Sequence, residues 1–323
     1  MNNLTTDIAT ILTVHDRVSY YKDAIQSVLE QMEGGDELII ISNVELDKNN
    51  MDSRISYFLS ADETLGGKIL KASNYTECGC IAFLEDDDIF LPGKLQHIRE
   101  IFATNPQIGC YHNNYVTMLE NGSKKDFRFL KRFSDFSLKK GVIRVLSEDV
   151  ALDSLLEVFK SGGLYNLSCL SIKSELIKII GTSLNSMNGG IDTLLPLIAL
   201  ENGYHFIQDS EIKTSIRIHK GNQSGIGNKS IYNVAKLKMI SNSFKDTDNK
   251  LFLTSVIIPH LSLDNIVKSD RGLKSNEFFL FLRNLFTLFI RYKFLDLEML
   301  AKLLTYKIST KLFFSILRFI RYE

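Results

Sequence analysis

Residues 80–95 read CIAFLEDDDIFLPGKL. Cys80–Leu84 is an uncharged, largely apolar run that suits a strand covered on both faces. It leads straight into Glu85-Asp86-Asp87-Asp88. Pro92 stands where the first turn of a helix running to Phe102 would begin, and Asn105-Pro106 would stop that helix. Four adjacent carboxylates repel one another, and a cation relieves that cost. In open α/β sheets, ligands bind at the carboxyl ends of the strands. Oxygen donors select Mg²⁺ or Mn²⁺, which keep several waters and bridge diphosphate oxygens. A bare acidic run reads as a solvated turn. One placed at the end of a buried strand reads as a metal site.

The same alternation extends on both sides. Ile8–Val14 (IATILTV) is a β-branched strand, and Asp16 stands at an N-cap position before a helix with Tyr20, Ala24, Ile25, Val28 and Leu29 on one face. Gly34-Gly35 closes that helix and Glu37–Ser42 (ELIIIS) is a second strand, which makes a right-handed parallel β-α-β unit. A strand at Ile55–Leu59 and a loop glycine pair at Gly66-Gly67 follow. Ile108–Met118 reads as one or two strands ending at a tight Asn121-Gly122 turn, while residues 123–165 show no firm pattern. Asn166–Ile172 reads as a strand, Ser174 as the cap of a short helix, and Asp192 as the head of a helix ending near Gly203. Strands at His205–Ile207 and Ile212–Ile218 come next, and beyond about residue 231 the pattern is mostly helical. The expected architecture is an α/β domain over residues 1–228, with a mostly parallel sheet flanked by helices, and a helical extension over 229–323.

The 323 residues carry 38 Lys/Arg and 38 Asp/Glu, which disfavours nucleic acid as a partner. The balance is uneven. From Arg271 onward there are 10 Lys/Arg against 4 Asp/Glu, a net of +6, which leaves −6 on the rest. Phe278–Tyr292 (FFLFLRNLFTLFIRY) and Lys311–Tyr322 (KLFFSILRFIRY) mix apolar and basic residues, as helices lying on an anionic membrane surface do. Packing on the catalytic domain, or on a second copy in a homo-oligomer, is the other use of such faces. No run reaches about 18 uncharged apolar residues, and MNNLTTD lacks the features of a signal peptide, so a cytoplasmic protein is expected, peripheral on the inner face of the cell membrane. Cys78, Cys80, Cys110 and Cys169 show no zinc spacing and are expected to be buried.

Two stretches together resemble family 2 glycosyltransferases of the GT-A type. Residues 80–95 are similar to that family's strand, acidic motif and Pro-led helix. Residues 11–31 (ILTVHDRVSYYKDAIQSVLEQ) are similar to its opening strand and helix, with the pattern that starts at Arg17 intact. The resemblance spans about residues 8–225 and implies an enzyme that transfers a sugar, with inversion, from a nucleotide diphosphate to an acceptor hydroxyl on a glycan, polysaccharide or lipid-linked molecule. It implies a divalent metal, Mn or Mg, on Asp87, with Glu85 toward the ribose and Asp86 sharing the acidic motif. It implies a nucleotide pocket at Thr13, His15, Arg17 and Ser42, with the segment carrying Lys68 close to the nucleotide. Ser42-Asn43 stands where the family has Asp-Asp or Asp-Asn. Residues 188–203 (NGGIDTLLPLIALENG) are similar to the family's base-bearing helix and put Asp192 in the role of catalytic base, although Ile191 replaces the usual Glu. Residues 216–224 (IRIHKGNQS) are similar to its closing motif, in which His219 completes the metal site or meets the diphosphate, with Arg217 nearby. Two other readings stay open: a catalytically silent module of this fold that binds a glycan or partner, motivated by Ser42 and Ile191, and a sugar-nucleotide nucleotidyltransferase. The latter needs a Gly-rich basic loop after the first strand, where this chain has HDRVSYY.

Overall fold

The computed structural model describes residues 7–15, 19–47, 51–60, 64–126, 128–185, 187–219 and 234–259, together with positions 262, 281 and 283. Arg17, residues 220–233 and nearly all of the basic, Phe-rich tail lie outside the described residues.

β1 (Ile8–Val14) is buried at every position and leads to α1 (Tyr21–Leu29), then β2 (Glu37–Ser42) and β3 (Ile55–Leu59). The N-cap of α1 is Tyr20, with no side-chain hydrogen bond, and Asp16, expected as the cap, lies outside the described residues. α2 (Leu65–Ser73) contains Gly66 and Gly67, so the pair expected in a loop is helical, capped by Thr64. A Cβ on Gly66 would lie 2.0 Å from the Leu184 carbonyl oxygen, and the Gly66 N–H donates to Met187 O at 2.8 Å. The glycine is there for close approach.

β4 (Cys80–Glu85) is followed by the short β5 (Ile89–Phe90) and α3 (Lys94–Thr104). β6 (Ile108–Leu119) is one strand with irregular register, closed by a turn in which the Gly122 N–H donates to Leu119 O. The unplaced stretch holds α4 (Arg128–Lys140), β7 (Ile143–Val145) and α5 (Leu152–Lys160). Only the second half of the strand expected at 166–172 is extended: Leu167–Cys169 is a 3₁₀ turn and β8 is Leu170–Lys173. α6 (Glu175–Ile180) and α7 (Ile191–Glu201) precede β9, and Ser174 stands at the N-cap of α6 without a side-chain bond. β9 runs unbroken from His205 to Ile218, where two strands were expected. α8 (Val234–Ser243) and α9 (Thr247–Phe252) follow.

The strands form one sheet in the order β3-β2-β1-β4-β8-β6-β9-β5, with β7 also on β9. β1, β2, β3, β4, β6 and β9 point one way, while β5, β7 and β8 oppose them. Side-chain alternation divides the core across the sheet. Ala9, Ile11, Ile39, Ile41, Ile81 and Phe83 face one layer, built on α2 and α5–α9. Ile8, Leu12, Leu38, Ile40, Ala82 and Leu84 face the other, built on α1 and α3. Burial on both faces explains why these strands read as continuous apolar runs. All four cysteines are buried free thiols.

Candidate active site at the carboxyl edge of the sheet

Because β1, β4 and β9 run in the same direction, their carboxyl ends bring His15, the acidic turn and His219 to one edge of the sheet. Glu85 ends β4, and the Asp88 N–H donates back to Glu85 O, turning the chain so that Asp86, Asp87 and Asp88 are all buried. Each takes a different task. An Asp86 oxygen accepts the His15 N–H at 3.1 Å, tying the end of β1 to the turn. Asp88 Oδ1 accepts the Arg217 N–H at 3.0 Å, tying the turn to β9. Asp87 Oδ2 lies 2.8 Å from His219 Nε2, across 132 residues of sequence. Burial, then the neighbouring Asp87 charge, pushes the Asp88 carboxyl up to about 8.

Asp87 and His219 suit a divalent ion. Two ligand atoms in adjacent positions of an octahedron with ~2.1 Å bonds are about 3.0 Å apart. The observed 2.8 Å is close to that spacing. No group of three or more His, Cys, Asp or Glu side chains clusters for a metal among the described residues. Asp87 and His219 would supply two donors, and ions that keep waters and take further oxygens from phosphate are suited to so few protein ligands.

Behind the turn lies a polar support that the sequence did not announce. The Ser168 hydroxyl accepts the Glu85 N–H at 3.0 Å and also bonds Asp88. Lys94 is fully buried at the start of α3, and its Nζ donates to Ser168 O at 2.5 Å and Thr214 Oγ1 at 2.8 Å. It lies 3.9 Å from the Phe90 ring centroid. Burial lowers its ammonium to about 7. Nothing periodic marks Ser168, and Lys94 reads as an ordinary surface residue of a helix, so only packing reveals them.

On the β1–β2 side, Lys68 in α2 is buried and its Nζ donates to Val14 O at 2.7 Å while lying 2.9 Å from His15 Nδ1. A Lys68 ammonium can only donate, so in that charge state His15 Nδ1 is the acceptor of this contact. Thr13 lies beside Glu85 in the β1–β4 register. Ser42 is fully buried, and its hydroxyl donates to Val44 O at 2.6 Å and accepts the Val44 N–H at 3.1 Å, so it closes its own turn.

Asp192 is the second residue of α7, whose N-cap is Gly190 in the left-handed region, so it is not the cap. Its Oδ1 accepts the Thr193 N–H at 3.0 Å. Burial raises its carboxyl to about 6, and the backbone N–H groups of Thr193 and Asn166 hold it from rising further. Asn166 has φ 68°, and it is the one non-glycine with positive φ among the described residues. Such strain costs about 1–3 kcal/mol and concentrates at functional sites. Here it aims an N–H at Asp192, two residues before the Ser168 that supports the acidic turn.

A mixed sheet in this order, with an acidic turn after β4 and a histidine after β9, has the GT-A architecture. The chain superposes on residues 1–349 of TarS from S. aureus in complex with UDP, with TM-score 0.56 and 11% identity over 98% of this chain and 93% of that one. Its superposition on the same region in complex with UDP-GlcNAc has TM-score 0.54 and 11% identity, over the same shares of both chains. An uncharacterized glycosyltransferase of Nostoc sp. is 28% identical over 116 residues, which are 33% of this chain and 36% of that protein. No family model matches the chain.

Proposed function

We propose that the protein is a glycosyltransferase that moves a sugar from a nucleoside diphosphate to an acceptor hydroxyl with inversion, and that it depends on a divalent cation. The observation that carries this reading is the Asp87–His219 pair, 2.8 Å apart at the carboxyl edge of the sheet. The TarS structures hold UDP and UDP-GlcNAc on a similar fold, which makes uridine diphosphate sugars the first donors to try. Asp87 and His219 would hold Mn²⁺ or Mg²⁺, which neutralises charge on a departing diphosphate. Thr13, His15, Arg17, Ser42 and Lys68 line the nucleotide side in this reading, with Glu85 toward the ribose and Asp86 bracing β1. Asp192 takes the proton of the acceptor hydroxyl as that oxygen bonds to the anomeric carbon. The bond from that carbon to the diphosphate oxygen breaks in the same displacement, and the nucleotide leaves with the electron pair. The acceptor is a glycan, a polysaccharide or a lipid-linked molecule.

A panel of nucleoside diphosphates with Mn²⁺, followed by thermal unfolding, tests donor binding. A ligand at a hundred times its Kd adds about 2.7 kcal/mol of stability. Turnover of the matching nucleotide sugar, with and without Mn²⁺, tests the chemistry. Binding without turnover favours the silent module. No shift with any nucleotide would overturn the reading altogether.

A further inference from the structure

Arg217 is 2% exposed, and a buried guanidinium is costly unless its donors are matched. Its Nε donates to Asp87 O at 3.0 Å, Nη1 to Glu120 O at 2.9 Å and Nη2 to Asp23 Oδ2 at 3.0 Å. Its main-chain N–H donates to Asp88 Oδ1 at 3.0 Å. The guanidinium carbon lies 4.5 Å from the centroid of the Tyr20 ring. The Tyr20 ring in turn meets the His219 imidazole at 5.4 Å between centroids. One side chain thus joins the acidic turn, the end of β6, the first turn of α1 and the aromatic residue beside His219. The directions of these bonds point away from a role as a diphosphate ligand, because the fork faces main-chain carbonyls and α1.

We propose that Arg217 is the positioning residue of the Asp87–His219 pair. It fixes the main chain of Asp87 through its carbonyl oxygen, and through Tyr20 it sets the ring of His219. The inference rests on reading that pair as cation ligands. A planar fork suits the task, since it bonds several carbonyls in set directions while stacking on an aromatic face. Lysine keeps the charge but loses both the fork and the stacking surface.

The test uses the full-length chain and Mn²⁺ alone, with the free aqueous ion followed by its paramagnetic resonance signal. Groups that orient metal ligands typically change affinity by about 10–100-fold when replaced. Arg217→Lys is expected to weaken Mn²⁺ binding at least tenfold while far-ultraviolet circular dichroism stays native. Tyr20→Ala leaves the hydrogen-bonding groups of Arg217 in place and removes only its aromatic link to His219; a smaller loss, several-fold, is expected. Raised Mn²⁺ is expected to restore occupancy in both. If Arg217→Lys fails to fold, Tyr20→Ala decides alone. Wild-type Mn²⁺ affinity in a folded Arg217→Lys or in Tyr20→Ala would overturn the inference and leave the cation site standing. A wild-type chain that binds no Mn²⁺ overturns the cation reading itself, and this inference with it.

Discussion

Asp192 is held between burial, which favours its neutral form, and three main-chain N–H groups, of Thr193, Asn166 and its own residue, which favour its charge. A carboxyl near 6 is ionised at neutral pH yet basic enough to accept a proton, which is what a general base needs. The transfer rate is therefore expected to rise with pH through about 6 and level off, and Asp192→Asn is expected to lower it by about a hundredfold or more with little change in donor affinity. Stability moves the opposite way. The folded-state pKa lies above the ordinary 3.8, so this group's stabilising contribution is complete below about pH 4 and lost as pH rises through about 6. Asp192→Asn is accordingly expected to unfold at a higher temperature than wild type at pH 8, with the gap closing at pH 4. A variant that loses stability at pH 8 and keeps its rate would leave Asp192 with only a structural part in α7. Asp87→Asn removes one of the two candidate ligands and relieves repulsion with Asp88, so it is expected to abolish metal-dependent nucleotide binding and leave a folded protein. Full turnover by that variant excludes Asp87 as a ligand.

At the level of elements, α2 shows how a helix can be placed by what it lacks. Glycine is a poor helix former, and two in succession at Gly66-Gly67 cost about 1 kcal/mol each relative to alanine. The fold accepts that cost because the backbone of Leu184 and Met187 passes against Gly66, whose N–H reaches Met187 O. This contact ties α2, the helix that carries Lys68, to the segment that precedes α7. Gly66→Ala improves helix propensity and yet is expected to destabilise, since the Leu184 carbonyl is backbone and cannot step aside. A loss of about 1–3 kcal/mol in urea unfolding is expected, as for other overpacked sites. An unchanged or raised midpoint would show that the two segments separate easily.

At the scale of the whole molecule, the described residues of α8, α9 and the turn that follows belong to the fold's interior. Leu237, Ile240, Phe244, Phe252, Leu253 and Val256 belong to the same hydrophobic cluster as Ile11 and Phe83, and Phe252 meets Phe159 edge-on at 6.2 Å. Burying each such side chain contributes about 1.5–3 kcal/mol, so losing six, about 9–18 kcal/mol, is as large as the whole stability of an ordinary domain, about 5–15 kcal/mol. A chain ending at residue 233 is expected to be insoluble or unfolded, whereas one ending at residue 259 keeps these contacts. Native circular dichroism of the shorter chain would refute this. Residues 229–323 thus act, in our proposal, as an extension whose first part completes the core and whose basic, Phe-rich remainder meets an anionic membrane. No helix among the described residues is long and apolar enough to cross a membrane. Co-sedimentation with anionic vesicles is expected at low salt and to weaken as salt rises. Absence of binding at both salt levels would leave packing on protein as the use of that tail.

The sequence by itself determined the parts governed by local pattern. β1, β2 and β4 lie where their apolar runs placed them, because strands covered on both faces need unbroken apolar residues and leave a clear trace. The acidic turn was legible for a related reason, since four carboxylates after such a strand have no packing role to explain them. Asp87, His219, His15 and Lys68 were named through the family resemblance, which also put His219 at the metal site or the diphosphate, but the contact of Lys68 with His15 was not foreseen. Tertiary structure alone decided what depends on distant partners: the Lys68–His15 contact, the inward turn of Arg217, the Ser168 and Lys94 support, and the aim of the Asn166 N–H. Charge, capping and glycine signals were ambiguous because each has a common local use. Lys94 and Arg217 look like surface cations, and Gly66-Gly67 looks like a loop, until the chain folds and shows what each one touches.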